Sequence, residues 1–321
     1  MHGTRHTRFR ADRAQRRRYD QAMSDLLRSR PNGPARLRQL LNEAVASKQP
    51  LVLPGCYDAL GARLVEQAGF DAAYMTGFGT AAGLLGRPDV GLLGLHEMVD
   101  NARRIAAAID VPLLADADTG YGNQINVIRT VQEYERAGVA GIHIEDQVLP
   151  KKCGHMENKQ VVDADEMVGK ISAAVSARQD DDFVLITRTD ARAPHGLDEA
   201  ISRAHRFHEA GADVLFVEAL EGVDEIERVA TEFADVPLIF NWAEGGKTPP
   251  LTYDHIAELG FSMIIMPIGT MLAATRAMQG FLSKLKEGGT PAGFADELMP
   301  FGEFTDTIGL PEIVDLEQRF S

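Results

Sequence analysis

The 321-residue sequence contains only two cysteines, Cys56 and Cys153, which is too few for a framework of disulfide bonds. Secreted domains that depend on disulfides are rich in cysteine, so we expect this protein in the reducing cytoplasm. The sequence also lacks any uninterrupted apolar run close to the roughly 20 residues that a membrane-spanning helix requires. We therefore expect neither a disulfide-stabilised extracellular domain nor a membrane as a partner.

Basic residues are scarce after the N-terminal segment. Residues 1–30 contain nine Arg and three Asp, which leaves 24 basic and 44 acidic residues in the rest of the chain and a net charge of −20 there. A surface of that sign repels nucleic acid, which we exclude as a partner. The Arg-rich segment has the composition of a transit peptide or a basic arm, without the apolar stretch of a secretory signal. We predict a disordered leader over residues 1–33 and one folded domain over residues 34–321.

Short apolar segments rich in branched residues alternate with segments of helical periodicity. We predict strands at residues 51–53, 72–75, 112–115, 140–144, 183–187, 214–217, 236–240 and 263–266. Helices are predicted at residues 36–46, 59–67, 95–109, 123–137, 164–178, 197–210 and 270–287, with a helical extension over residues 301–308 and 310–320. Asp58 is the predicted N-cap of the second of these helices. Apolar runs of this length indicate strands buried on both faces of a parallel sheet. Eight such repeats predict a (β/α)8 barrel of the TIM type, with a doubly wound sheet as the alternative.

Acidic residues follow two of the predicted strands. Asp116 and Asp118 come at the end of the third strand, and Glu145 comes at the end of the fourth. Residues two apart on a regular strand point the same way, so these carboxylates share a space and repel one another unless a cation lies among them. A hard divalent ion, with Mg²⁺ as the expected metal, would relieve that repulsion. The alternative is that these residues cap the following helices, as Asp118 alone could do.

The loop over residues 147–159 contains the pentapeptide Lys151–His155 (KKCGH). Its length and polarity are unusual for an α/β connection and indicate a lid. We expect the two lysines before Cys153 to lower the pKa of its thiol. With His155 nearby, the thiol could donate a proton, accept one or act as a nucleophile, and the sequence does not separate these roles. The competing interpretation is an inert buried cysteine.

Four further strand ends carry polar groups. The segment Thr76–Gly79 (TGFG) has glycines that allow backbone N–H groups to face an anion, although a flexible turn is the alternative. Arg188 has the fork of donors that binds a carboxylate, although a structural salt bridge is the alternative. Glu218 and Asn241 also follow strands, where each could simply cap a loop.

Three motifs together resemble the isocitrate lyase and phosphoenolpyruvate mutase superfamily. They are DADTGYG at residues 116–122, HIEDQ at residues 143–147 and KKCGH at residues 151–155. The resemblance extends from about Pro54 to the C-terminus, and the KKCGH loop is similar to that of the methylisocitrate lyase and 2,3-dimethylmalate lyase branch. It implies a (β/α)8 barrel whose eighth helix is swapped between subunits and a homotetramer built as a dimer of such dimers.

The same resemblance assigns roles to individual residues. It implies Asp89, Asp116, Asp118 and Glu145 at a metal site, Thr76, Gly77, Phe78, Gly154, Arg188, Glu218 and Asn241 at the substrate, and Cys153 and His155 in catalysis. Tyr74 lies beside the Thr76 segment and is a candidate partner for the substrate's hydroxyl proton, with simple packing as the alternative. Arg192 and His195 fall in a short segment that gates the pocket in the dimethylmalate lyase branch. Many family members have glycine at the position of Phe78, whose bulk is expected to narrow the pocket.

The implied reaction is Mg²⁺-dependent cleavage of a carbon–carbon bond, with Mn²⁺ as an alternative ion. The expected substrate is a small 2-hydroxy di- or tricarboxylate such as 2-methylisocitrate or 2,3-dimethylmalate, and the products are a 2-oxo acid such as pyruvate and a carboxylic acid. Cys153 would protonate the carbanion that cleavage leaves. Alternatives are a carboxyphosphonoenolpyruvate or phosphoenolpyruvate mutase and an oxaloacetate hydrolase, a group that has Ser at the position of Pro267. A catalytically silent binding barrel is the non-enzymatic alternative.

Overall fold

Eight parallel strands form one sheet in the computed structural model, which describes residues 33–321. The strands are β1 Leu51–Cys56, β2 Ala73–Met75, β3 Leu113–Asp116, β4 Gly141–Glu145, β5 Val184–Thr189, β6 Val214–Val217, β7 Ile239–Asn241 and β8 Met263–Met266. Their order in the sheet is β6-β5-β4-β3-β2-β1-β8-β7. A parallel bridge between Leu215 and Leu238 brings the two ends of the sheet together. The predicted (β/α)8 barrel is confirmed.

Helices connect the strands and cover the outside of the sheet. They are α1 Gly33–Ser47, α2 Ala59–Gln67, α3 Gly77–Leu85, α4 Leu95–Ala106, α5 Gln124–Arg136, α6 Ala164–Ala177, α7 Arg192–His195, α8 Leu197–Glu209, α9 Val223–Glu232, α10 Tyr253–Glu258, α11 Gly269–Gly288, α12 Phe301–Thr307 and α13 Leu310–Phe320. The predicted cap of α2 is present, because Asp58 Oδ1 accepts a hydrogen bond from Gly61 N at 2.7 Å. No helix was predicted over the residues of α3, and the prediction is wrong at this point. Thr76 caps its start and Gly86, with φ +61°, ends it.

The N-terminal end of the barrel is filled with apolar side chains. One buried cluster contains Leu53 of β1, Leu114 of β3 and Ile186 of β5 together with Leu37 and Leu41 of α1. Helix α1 is also fixed beside the starts of β5 and β6, because Arg38 donates to the carbonyl of Phe183 and to Asp213. This end of the barrel is therefore closed by packing, and the functional groups collect at the other end.

Residues 33–279 belong to one compact unit, and residues 280–321 belong to another. Within residues 280–321, Phe281 contacts Phe294 edge to face and Lys284 pairs with Glu297. The disordered leader was predicted over residues 1–33, of which residues 1–32 lie outside the described residues and Gly33 begins α1. The predicted helix swap stays a prediction. In residues 33–321, no helix is both long enough and apolar enough to cross a bilayer.

Candidate active site

A cavity of about 240 Å³ lies at the rim formed by the carboxyl ends of the strands. Eleven of the predicted site residues line it: Tyr74, Thr76, Phe78, Asp89, Asp116, Cys153, Gly154, His155, Arg188, Glu218 and Asn241. The other three predicted residues contact the lining. Gly77 lies so close to Asp116 that a Cβ on it would overlap that side chain. Asp118 N donates to Asp116 Oδ1, and Glu145 pairs with Arg188. The fold thus brings the predicted residues together, and their roles stay predictions.

The predicted gating residues lie outside the cavity lining. Arg192 and His195 belong to the short helix α7. Arg192 Nη1 lies 2.8 Å from Glu221, and its Nη2 lies 2.8 Å from Glu225, both in the segment after β6. Its guanidinium group is therefore occupied by two carboxylates, and this geometry does not support a direct contact with a substrate.

Lys151 occupies the centre of the acidic cluster. Its side chain is 2% exposed, and Nζ lies 2.6 Å from Asp89 Oδ2 and 2.6 Å from Asp118 Oδ1. Burial alone would lower the pKa of Lys151, but Asp118, Asp116, Glu145 and Asp89 raise it well above its usual range. The cation expected among these carboxylates is thus supplied in part by the chain itself. Sequence reasoning had connected Lys151 only with the thiol.

Asp116 and Asp118 do not share the face of a regular strand, and this part of the prediction is wrong. Strand β3 ends at Asp116, and Asp118 has a left-handed backbone with φ +48°. The turn is held by Asp118 N, which donates to Asp116 Oδ1 at 2.9 Å, and by Tyr134, which donates to the Asp116 carbonyl at 2.8 Å. Asp118 still reaches Lys151 from this turn. Burial raises the pKa of Asp118 to about 6, and the negative charges of Asp116 and Asp89 act in the same direction. Lys151 lowers this pKa but does not cancel the effect of burial.

The acidic cluster has the donor chemistry of a site for a hard divalent ion. Carboxylate oxygens are the ligands that Mg²⁺ prefers, and Glu145 Oε1 has no hydrogen-bond donor in the part of the chain that the structure describes, whereas Glu145 Oε2 lies 3.1 Å from Arg188 Nη1. No three Asp, Glu, His or Cys side chains among residues 33–321 are grouped closely enough to form a complete coordination shell. The chemistry of these oxygen donors therefore fits the metal. In this structure the Lys151 ammonium group lies between the carboxylates of Asp89 and Asp118.

Cys153 reaches the cavity from the lid. Burial raises the pKa of its thiol, although the nearby His155 amide and Arg188 act in the opposite direction. The prediction that its neighbouring lysines favour the thiolate is wrong. Lys151 points into the acidic cluster, and Lys152 Nζ donates to the carbonyls of Glu157 and Asn158. The raised pKa favours the protonated thiol, which suits a proton donor better than a nucleophile.

His155 joins the lid to strands β6 and β7. Its Nδ1 accepts a hydrogen bond from Lys247 N at 3.1 Å, so the neutral ring carries its proton on Nε2. That nitrogen lies 3.2 Å from Glu218 Oε1, which also accepts a hydrogen bond from Asn241 at 3.2 Å. Burial lowers the pKa of His155 and favours this neutral form. Three predicted site residues are thereby linked in one hydrogen-bond network.

Arg188 is held by carboxylates on two sides. Its Nε and Nη2 donate to the two oxygens of Asp190 at 2.9 and 3.0 Å, and Nη1 lies 3.1 Å from Glu145. These ion pairs are the structural salt bridge that the sequence offered as an alternative. Arg188 also lines the cavity, where a Cβ on Gly154 would overlap it. The guanidinium group is therefore both fixed and available to a bound anion.

Tyr74 and His143 form a buried pair beside Asp116. Tyr74 Oη lies 2.8 Å from His143 Nε2, which is 3.6 Å from Asp116 Oδ1. Burial, with Asp116 nearby, raises the pKa of Tyr74 well above its usual range, and burial lowers the pKa of His143. His143 was not predicted as a site residue. Its position two residues before Glu145 on β4 could have revealed it, because residues two apart on a strand face the same side.

Thr76 and the following residues place a helix N-terminus at the cavity. Thr76 Oγ1 accepts a hydrogen bond from Gly79 N at 3.2 Å as the cap of α3. Gly77 and Phe78 are the first helical residues, and their N–H groups have no acceptor inside the helix. The positive end of the helix dipole and these N–H groups favour an anion at this point.

Comparisons with known proteins identify the family to which the chain is similar. The family model of phosphoenolpyruvate phosphomutase matches residues 41–286. Among curated proteins, 2,3-dimethylmalate lyase of Eubacterium barkeri is 46% identical over 90% of this chain and 99% of its own length. Carboxyvinyl-carboxyphosphonate phosphorylmutase of Arabidopsis thaliana is 42% identical over 90% of this chain and 86% of its own, and 2-methylisocitrate lyase of Aeropyrum pernix is 42% identical over 84% and 86%.

Solved structures give the same result. A crystal structure of 2,3-dimethylmalate lyase superposes with a TM-score of 0.85 at 40% identity, covering 91% of this chain and 97% of the other. A crystal structure of phosphonopyruvate hydrolase in complex with oxalate and Mg²⁺ superposes with a TM-score of 0.80 at 31% identity, covering 88% and 98%. The similarity thus includes a protein that holds a divalent ion together with a small dicarboxylate.

Proposed function

The chain belongs to the phosphoenolpyruvate mutase and isocitrate lyase superfamily, and we propose that it is a carbon–carbon lyase for a small 2-hydroxy carboxylate of the 2,3-dimethylmalate or 2-methylisocitrate type. The main support is that the protonated thiol of Cys153 faces the same cavity as Arg188 and the acidic cluster. A cation and an acid placed at one cavity suit a reaction that starts from a carboxylate and ends with protonation of carbon.

The cavity supplies complementary sites for the two ends of such a substrate. The N–H groups of Gly77 and Phe78 with Arg188 bind the carboxylate that becomes part of the 2-oxo acid. Asp116, assisted by Asp89, Asp118 and Glu145, would hold Mg²⁺. A bound divalent ion supplies Lewis-acid stabilisation of the negative charge that develops on the substrate's 2-oxygen.

Proton transfers by the chain's own residues complete the reaction. Tyr74 takes the proton of the 2-hydroxyl group as it passes its own proton to the neutral His143. The bond between C2 and C3 then breaks, C2 becomes the carbonyl carbon of a 2-oxo acid, and the electron pair remains on C3 as the enediolate of a carboxylic acid. The thiol of Cys153 donates its proton to C3. Such general-acid catalysis contributes roughly 10² to 10⁴-fold.

The lining of the cavity favours a dicarboxylate with alkyl groups. Arg188 is the only Lys or Arg among the described residues that line it. A third carboxylate group on the substrate would therefore meet no further cationic side chain in the cavity. Phe78, Ile265 and Pro267 form an apolar wall that suits methyl substituents. We therefore place a 2,3-dialkylmalate ahead of 2-methylisocitrate.

The test is a panel of candidate substrates with Mg²⁺, followed by mass spectrometry of the products. We expect release of pyruvate from 2,3-dimethylmalate or 2-methylisocitrate, and a loss of about 10²-fold or more in Cys153→Ser. Cys56→Ala is the matched control, because Cys56 is buried in β1 and does not line the cavity. Release of no 2-oxo acid from any member of the panel would contradict the proposal.

A phosphonomutase is the second candidate, because one relative of 42% identity is a carboxyvinyl-carboxyphosphonate phosphorylmutase. Conversion of a phosphonate in the same panel, without release of pyruvate from the hydroxy acids, would favour it. Oxaloacetate as a substrate tests the hydrolase alternative, for which Pro267 replaces the serine of that group.

We propose a cytoplasmic homotetramer with Mg²⁺ rather than Mn²⁺ as its metal. Within residues 280–321, large apolar side chains are exposed, including Phe301 at 81% and Phe320 at 70%, which supports a surface covered by another subunit. Light scattering after size-exclusion chromatography measures the assembly, and a monomer would contradict it.

A further inference from the structure

The lid ends at a lysine whose side chain is buried. Lys159 is 6% exposed, and its ammonium group lies 2.7 Å from Asp190 Oδ1. The same nitrogen donates a hydrogen bond to the carbonyl oxygen of Gly154, the residue that follows Cys153. Lys159 therefore connects the catalytic part of the lid to strand β5.

Asp190 is a rigid attachment point for that lysine. It binds Arg188 through both oxygens, and its backbone N–H donates to Asp146 Oδ1 at 2.8 Å. Asp146 is itself held by Thr189 at 2.8 Å and by Arg203 of α8 at 3.1 Å. Because Arg188 remains fixed by two hydrogen bonds to Asp190, loss of Lys159 would release the lid without releasing Arg188.

Gly154 shows why the position of the lid is narrowly defined. A Cβ at this residue would overlap both Glu218 and Arg188, so the backbone lies directly against the cavity's polar groups. The carbonyl group of Gly154 is held by Lys159. Residues 153–155 are therefore fixed between the barrel rim on one side and the Lys159 ammonium group on the other.

We propose that Lys159 is a positioning residue that holds the lid closed and keeps the Cys153 thiol at the cavity. The inference rests on the proposed lyase function for its kinetic consequences, but not for its structural ones. A buried ammonium group is stable only beside its partners, so the lid cannot leave the rim without separating Lys159 from Gly154 or from Asp190. Closure of the lid and the pairing of Lys159 are thus one event.

The test compares Lys159→Met with Lys159→Arg and with the matched control Lys152→Met. Lys152 lies on the same loop, but its ammonium group donates to the Glu157 and Asn158 carbonyls of the loop itself. We expect Lys159→Met to lower kcat by about 10²-fold, as misplacement of a catalytic group does, with a much smaller change in KM because Arg188 stays in place. Lys159→Arg should recover at least tenfold of that loss, and Lys152→Met should resemble the wild type.

A second measurement follows the lid without any reaction. Endoproteinase Glu-C cuts after Glu157, whose side chain is 76% exposed, and mass spectrometry identifies that fragment. Oxalate with Mg²⁺ should protect this site in the wild type and in Lys152→Met, whereas Lys159→Met should be cut about tenfold faster than the wild type at a similar Tm.

The two measurements separate the failure of this inference from the failure of the proposed function. If the wild type cleaves no hydroxy acid but Lys159→Met is still cut faster after Glu157, the lyase proposal fails and the role of Lys159 stands. If the rate of cleavage after Glu157 is unchanged in Lys159→Met, or if Lys152→Met has the same effects, the role of Lys159 is overturned. A rise in KM equal to the fall in kcat would also overturn it, because the effect would then act through Arg188.

Discussion

The two ends of the barrel are built from the same eight strands but differ in their physical character. At the N-terminal end, Leu37 and Leu41 pack against strand residues in a cluster of buried apolar side chains. At the C-terminal rim, the buried side chains include charged groups, among them Asp116, Lys151 and Arg188, which are 4%, 2% and 7% exposed. One end supplies packing, which stabilises the fold, and the other supplies charge, which is useful only when a ligand or a partner offsets it.

Backbone conformation follows the same division. Of the five described non-glycine residues with positive φ, four lie in rim segments: Asp118, Tyr121, Asn158 and Ala219. Such conformations cost on the order of 1–3 kcal/mol each and persist where the surroundings enforce them. The comparison implies that substitutions at the N-terminal end affect stability, whereas substitutions at the rim affect activity.

The largest effect on stability is expected at the N-terminal end. Leu41→Ala removes a side chain that is 2% exposed, and we expect the free energy of unfolding to fall by about 2–5 kcal/mol, with kcat per folded molecule unchanged. Urea denaturation followed by circular dichroism, with activity normalised to folded protein, measures both. Val45→Ala in the same helix is the control, because Val45 is 47% exposed. A parallel loss of kcat in Leu41→Ala would show that the two ends are not independent.

The next effect is expected at the rim, with the opposite signature. Gly154→Ala adds a Cβ that overlaps Glu218 and Arg188, so the lid cannot close fully. We expect kcat/KM to fall by about 10²-fold, with the midpoint of unfolding nearly unchanged. Gly280→Ala is the control, because a Cβ there meets nothing within 4 Å. Full activity in Gly154→Ala would indicate that the lid does not need this close contact.

The sequence predicted the barrel well because parallel strands buried on both faces leave a continuous apolar signal. All eight strands are found close to their predicted positions. Helix α3 was missed because glycines at residues 77, 79 and 83 weaken its intrinsic helix preference, while its Thr76 cap and Gly86 end are visible only once the helix is known. Local signals were thus reliable where the chain is apolar and weaker where glycine lets the backbone turn.

The site residues were found as a set, but their pairings were not. Lys151 was expected to act on Cys153 and instead lies among four carboxylates from other segments, since a long loop can place its side chains far from their sequence neighbours. Lys159 carried no signal at all, because its partner Asp190 is 31 residues away. Ion pairs of this kind depend on how loops fold back on the rim, which composition and periodicity do not encode.

The smallest effect is expected from an ion pair on the outer surface of the rim. Glu157 Oε1 lies 2.5 Å from Lys247 Nζ, and both groups are reached by solvent. We expect Glu157→Gln to lower kcat/KM by less than about threefold at low salt, and we expect the difference to vanish at 1 M KCl, where screening extends to about 3 Å. Glu133→Gln is the control, because it breaks a comparable exposed pair with Arg136 near the opposite end of the barrel. A tenfold loss that persists in high salt would place Glu157 among the groups that the reaction needs, and the division between the buried rim and its surface would have to be redrawn.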